Sequence, residues 1–94
     1  GPPTPGAMAT HDLLLQKLRE QDRYGDGEAL MLETWEGLES PEADRAPWIA
    51  QTRRVASGLL AKHYEAWQAA HPGEGHEDQA AAWAEKAKAL AEKH

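Results

Sequence analysis

From Pro47 to Ala70 the apolar and small positions recur at alternating spacings of three and four, at Ile49, Thr52, Ala56, Leu59, Leu60, His63, Trp67 and Ala70. A helix with 3.6 residues per turn carries such positions on one face, so the pattern predicts about six turns of amphipathic helix. His71-Pro72-Gly73 ends it. Upstream, Met31, Leu32, Trp35 and Leu38 fall at i, i+1, i+4 and i+7, which predicts a helix from Asp26 or Glu28 to Leu38. Leu14, Leu15 and Leu18 form a shorter stripe in a helix from Thr10 to Arg23, with Thr10 as N-cap and Asp12 in the first turn. A last helix, Glu77 to Lys93, turns Ala80, Trp83, Ala84, Ala87, Leu90 and Ala91 inward.

Punctuation separates these stripes. Gly25 and Gly27 are expected to break the chain between the first two helices, and Gly37 with Ser40-Pro41 to end the second. Ser40-Pro41-Glu42 reads as a helix start, giving a short turn through Ala43 and Asp44 before Pro47 restarts the chain. Residues 1–9 (GPPTPGAMA) hold three Pro and no charge, resemble a cleavage scar plus linker, and are expected to be disordered. The expectation is an all-α bundle of four helices in two helix-loop-helix pairs, one domain over 10–94, with the 47–70 helix as its spine.

Composition supports this fold class. Eighteen Ala and ten Leu stand against two β-branched aliphatics, Ile49 and Val55, a balance that favours helix over sheet. Hydrophobic residues make up 40% of the chain, but nearly half of them are Ala and there is no Phe, so the core must be thin. The apolar runs are too short for a membrane span or a secretory signal, and with no Cys there is no disulfide or thiolate metal site.

A net charge of −6 and a pI near 5.3 disfavour nucleic acid and anionic membranes as partners. The charges are also segregated. Glu20 to Asp44 carries nine acids and one base, whereas Arg45 to Tyr64 carries four bases and no acid. Two explanations fit: the second and third helices are antiparallel neighbours, or the acidic strip from Glu28 to Asp44 faces a basic protein partner. Arg53 and Arg54, adjacent on a helix, point about 100° apart and do not make a phosphate-binding pair.

Several residues could carry chemistry. Asp22 to Glu33 (DRYGDGEALMLE) resembles a calcium loop of the EF-hand type, with Asp22, Asp26, Gly27 and Glu33 at positions 1, 5, 6 and 12. Tyr24 at position 3 and Ala29 at position 8 depart from that pattern, and a helix end followed by a Gly turn accounts for the same residues. His63, His71 and His76, near Glu74, Glu77 and Asp78, have the donor types of a zinc site but not the i, i+4 spacing of a helical one. Ser40 and Ser57 are the only serines, and neither sits in a nucleophile elbow or phosphate loop. Trp35, Trp48, Trp67 and Trp83 fall one per segment from the second helix onward. They form either the core or a groove for a peptide, partner helix or planar molecule, with Trp48 the most exposed and Trp67 and Trp83 buried.

The function expected on these grounds is a non-catalytic protein-interaction module, a small acidic cytoplasmic adaptor, regulator or inhibitor. Its partner surface would draw on Trp48, Trp35, Tyr24, Met31, Glu33, Glu36, Arg53 and Arg54. The 47–70 helix could also self-associate as a homodimer through Ile49, Ala56, Leu59, His63 and Trp67. The alternative is a ligand-binding domain holding a small molecule among the Trp residues, or Ca²⁺ at Asp22, Asp26 and Glu33; no other cofactor is expected.

Overall fold

The computed structural model describes residues 3–92. The four helices are α1 (Pro5–Glu20), α2 (Tyr24–Leu38), α3 (Ile49–Ala70) and α4 (Glu77–Ala91). Single turns of 3-10 helix at Ala43–Arg45 and Pro72–Glu74 sit in the two longer connections. His11 meets Thr34 and Leu15 lies against Gly27, so α1 and α2 run antiparallel. Arg53 reaches Leu38 and Tyr64 reaches Glu28, so α2 and α3 do the same. α3 is the spine, contacting all three other helices, and α4 packs chiefly along it. The molecule measures 40 × 24 × 18 Å.

α1 starts well before the expected Thr10. Thr4 is extended and its hydroxyl accepts from the Ala7 N–H at 3.2 Å, with Pro5 at the first helical position. A Thr cap followed by Pro pre-organises a helix start, because Pro lacks the N–H that would go unpaired there and already holds a helical φ. Met8, only 1% exposed, is thereby a core residue. Of the 1–9 segment expected to be disordered, residues 1 and 2 lie outside the described residues, and Pro5 onward is helix. Thr10 and Asp12 consequently sit inside the helix rather than at its first turn. At the other end of the chain, α4 is helical to Ala91, and Lys93 lies outside the described residues.

The turn between α1 and α2 is made by Asp22, not by the glycines. Asp22 adopts φ 59°, the left-handed conformation. Its N–H bonds the Arg19 carbonyl at 3.0 Å, and the next N–H, of Arg23, bonds the Leu18 carbonyl at 2.8 Å. This pair of bonds around one left-handed residue is a Schellman C-cap, with Asp in the place usually taken by Gly. α2 then begins at Tyr24, so Gly25 and Gly27 lie within the helix they were expected to break.

Gly27 is there because His63 needs the space. A Cβ on Gly27 would stand 2.5 Å from His63 Cε1 and 3.0 Å from a Leu15 methyl. His63 is fully buried, where α1, α2 and α3 meet. Arg19 Nη1 donates to His63 Nδ1 at 3.2 Å, and since a guanidinium can only donate, Nδ1 must carry a lone pair. The ring proton is therefore on Nε2, which donates to the Tyr24 carbonyl at 2.8 Å. Burial above all lowers the His63 pKa, with the Arg19 charge adding to it, and the ring is held neutral.

One turn boundary away, Tyr64, also buried, donates from its hydroxyl to Glu28 Oε2 at 2.6 Å. Burial and the carboxylate hold the phenol proton well above its ordinary range, so Tyr64 remains a donor. Tyr64→Phe is expected to cost about 2 kcal/mol, as for a lost hydrogen bond to a charged group, read as a lowered urea midpoint at unchanged slope. An unchanged midpoint would mean that water serves Glu28 equally well.

The seam expected for self-association is consumed inside the chain. Ile49, Ala56 and His63 are buried against the protein's own helices, and Leu59 and Trp67 are partly buried. The outer side of α3 instead exposes Val55, with Trp48 just before its first turn.

Candidate functional site

α2, α3 and α4 enclose a groove of about 240 Å³ lined by Trp35, Glu39, Arg53, Lys86 and Leu90. Its geometry follows from helical spacing. Trp35 and Glu39 are i, i+4 on α2, at its C-terminal end; Trp83, Lys86 and Leu90 are i, i+3, i+7 on α4. Arg53, from the second turn of α3, forms the base between these two walls.

Arg53 is locked in place. Its Nε and Nη2 donate to the Leu38 carbonyl at 3.0 and 2.7 Å, and Nη2 also donates to Asp44 Oδ1 at 2.8 Å. A cation on the last carbonyls of α2 meets the negative end of the helix dipole and satisfies an orphan acceptor. The segregated charges of the sequence thus meet partly as neighbours, but Arg53 pairs with the end of α2 and with Asp44 rather than with the α2 carboxylates. Nη1 makes no hydrogen bond among the described residues.

The Trp35 and Trp83 rings meet edge to face, with centroids 5.0 Å apart and planes at 82°. Lys86 Nζ lies 5.4 Å from the Trp35 ring centroid and 5.8 Å from that of Trp83. The ammonium is held by ring faces, a contact worth about 0.5–1 kcal/mol at an exposed site. No carboxylate among the described residues pairs with it within 4.0 Å. The groove therefore joins an apolar floor to two cations with unused donors. Glu39 on the α2 wall is its one acid.

No family model, curated protein or solved structure matches this chain. The site is read from its own chemistry.

The structure distributes the other expected residues unevenly. Trp35 and Arg53 share the groove. Met31 is fully buried and offers nothing to a partner, and Trp35 presents only an edge. Tyr24 packs into an aromatic group, stacked on Trp67 at 5.9 Å and edge-on to His71 at 5.7 Å. Glu33 and Glu36 are exposed on α2 and form no ion pair among the described residues. Arg54 is half-buried and Trp48 is 37% exposed, both away from the groove. Trp67 and Trp83 are half-buried rather than buried. The sequence pattern did not single out Glu39, Lys86 or Leu90. The available signal was a lysine in the apolar Trp83–Leu90 stripe of α4.

The calcium-loop expectation does not survive the backbone. Tyr24 to Glu33 is continuous helix, so the twelve residues from Asp22 cannot wrap a cation, and Glu33 stands nearly three turns from Asp22. Asp26 pairs instead with Arg23 at 2.8 Å, and Asp22 Oδ1 lies 2.6 Å from His71 Nε2. The histidine set is also divided. His63 is buried at the α2 packing seam, whereas His71 and His76 flank Glu74 at 3.4 and 3.6 Å. No three His, Asp or Glu side chains among the described residues come together as a metal site. The cluster works as a clasp: His76 stacks on Trp67 at 3.7 Å, Trp67 Nε1 donates to Glu74, and His71 ties the end of α3 to the Asp22 turn. Hydrogen bonding to Asp22 raises the His71 pKa, so the clasp is strongest when His71 is charged.

Proposed function

We propose that this protein is a non-catalytic interaction module that docks one segment of a protein partner along the groove between α2 and α4. The observation behind the reading is the groove itself, an apolar floor with unspent cationic donors in a molecule whose net charge is −6. Leu32, Glu36 and Glu39 fall at i, i+4 and i+7, so exposed Leu32 and Glu36 extend the α2 wall and lengthen the surface beyond the cavity. A valley between two helices, floored by a third, suits the mode in which a partner helix lays its apolar face into a groove. Both serine hydroxyls are spent on backbone carbonyls, Ser40 on Gly37 and Ser57 on Arg54, which favours binding over nucleophilic chemistry. Among the described residues no helix is long and apolar enough to cross a membrane, and a cytoplasmic partner completes the reading.

Site-specific photocross-linking in the source cell tests it. A benzophenone side chain at Leu32 is expected to give a discrete protein adduct that Leu90→Asp suppresses. The same group at Leu13, 62% exposed on α1, is expected to give none. An adduct of equal yield from both positions, or none from Leu32, would remove the groove as the docking surface.

A further inference from the structure

We infer that the partner segment presents one large apolar side chain beside a carboxylate, the apolar group entering between Trp35 and Leu90 and the carboxylate bridging Lys86 and Arg53 Nη1. This rests on the docking reading and specifies its chemistry.

The size of the cavity gives the first half. About 240 Å³ is smaller than the roughly 300–1,000 Å³ of small-molecule sites, and it suits a single anchoring side chain of the kind that dominates interface energetics. The floor available to it is apolar, the exposed edge of Trp35 and the Leu90 side chain.

Charge gives the second half. Arg53 cannot swing away, because two of its nitrogens are fixed on the Leu38 carbonyl, and it therefore offers Nη1 at a set position. Lys86 is held by ring faces alone, with no anion of the protein's own in range among the described residues. Asp44, which answers Arg53, is committed to Nη2. A cationic segment would meet Lys86 and Arg53 with like charge and could use only Glu39. A neutral one would leave Nη1 and the ammonium without a partner while displacing their water. A carboxylate satisfies both donors at once, and a charge-assisted bond to guanidinium is the strongest pairing available there.

The probes are N-acetyl-Phe-Glu-amide and its neutral isostere N-acetyl-Phe-Gln-amide, titrated into the full chain and followed at the Trp35 and Trp83 indole N–H signals. The acid probe is expected to saturate these signals in the millimolar range and to bind about fivefold more tightly than the isostere. Lys86→Gln is expected to abolish that preference while helix content is unchanged, since Lys86 is exposed. Lys86→Glu is expected to reverse it in favour of N-acetyl-Phe-Lys-amide. Equal binding of acid and isostere, a preference that persists in Lys86→Gln, or no saturable shift each overturns the inference. If the Leu32 adduct persists in any of those cases, the groove still docks a partner and only the carboxylate is wrong; if the adduct is absent too, both readings fall.

Discussion

Gly27→Ala is expected to lower the unfolding free energy by about 2 kcal/mol, although replacing a helical Gly with Ala normally raises it by about 1 kcal/mol. The reversal comes from contact. The new methyl would overlap His63 at 2.5 Å to Cε1 and 2.8 Å to Nε2, and it would press on Leu15 at 3.0 Å. The His63 ring cannot move aside without breaking its bonds to Arg19 and Tyr24, and Leu15 is itself fully buried. Gly58, inside α3, is the control. Nothing lies within 4 Å of a Cβ there, so Gly58→Ala is expected to stabilise by roughly the propensity difference. Urea unfolding of the two variants separates the effects by sign. A second variant, Gly27→Ala with His63→Ala, should recover part of the loss, because the two changes share one contact. If Gly27→Ala alone left the midpoint unchanged, the packing of α2 on His63 would be looser than the distances describe.

That glycine also marks where the sequence was readable. The three-four spacing from Ile49 to Ala70 located α3 because burial on one face is a periodic property, and period is visible in a single chain. Gly25 and Gly27 read as breakers because local propensity is all that a sequence displays, whereas the contact with His63 arises 36 positions away. The start of α1 was legible in principle. Thr4-Pro5 has the same cap-then-Pro grammar that was recognised at Ser40-Pro41, where the structure has no long helix but a single 3-10 turn. What separated the two cases was Met8, whose burial supplies tertiary support that residues 41–48 lack for a regular helix.

The groove was half legible for a related reason. Trp35 and Arg53 stood out by residue type. Lys86 did not, because a lysine among alanines reads as solvated until two indole rings are found beneath it. The calcium pattern misled in the opposite direction. Ligand spacing carries meaning only on a loop, and here the left-handed Asp22 closes the turn within one residue and lets helix follow at once.

His63→Ala is expected to cost about 3 kcal/mol at pH 7, combining a cavity among three helices with the loss of partners for Arg19 and the Tyr24 carbonyl. Its sharper signature is in pH. His63 titrates near 6.5 when unfolded and lower when folded, so above 6.5 neither state carries the proton and the site contributes no slope. As pH falls through 6.5 the unfolded chain takes up a proton that the native chain refuses, and stability is lost until the lowered folded pKa is reached. His71 has the opposite sign. Its folded pKa is raised by Asp22, so its contribution is complete below 6.5 and disappears as pH rises through the folded value. The two windows meet near 6.5, one histidine acting on each side. Urea midpoints measured from pH 8 to pH 5 should therefore peak between them. His63→Ala should flatten the acid limb while leaving the neutral limb, and His71→Ala should do the reverse. An acid limb of the same steepness with and without His63 would show that carboxylates alone drive the loss, and that the imidazole is less sealed from water than its bonds to Arg19 and Tyr24 imply.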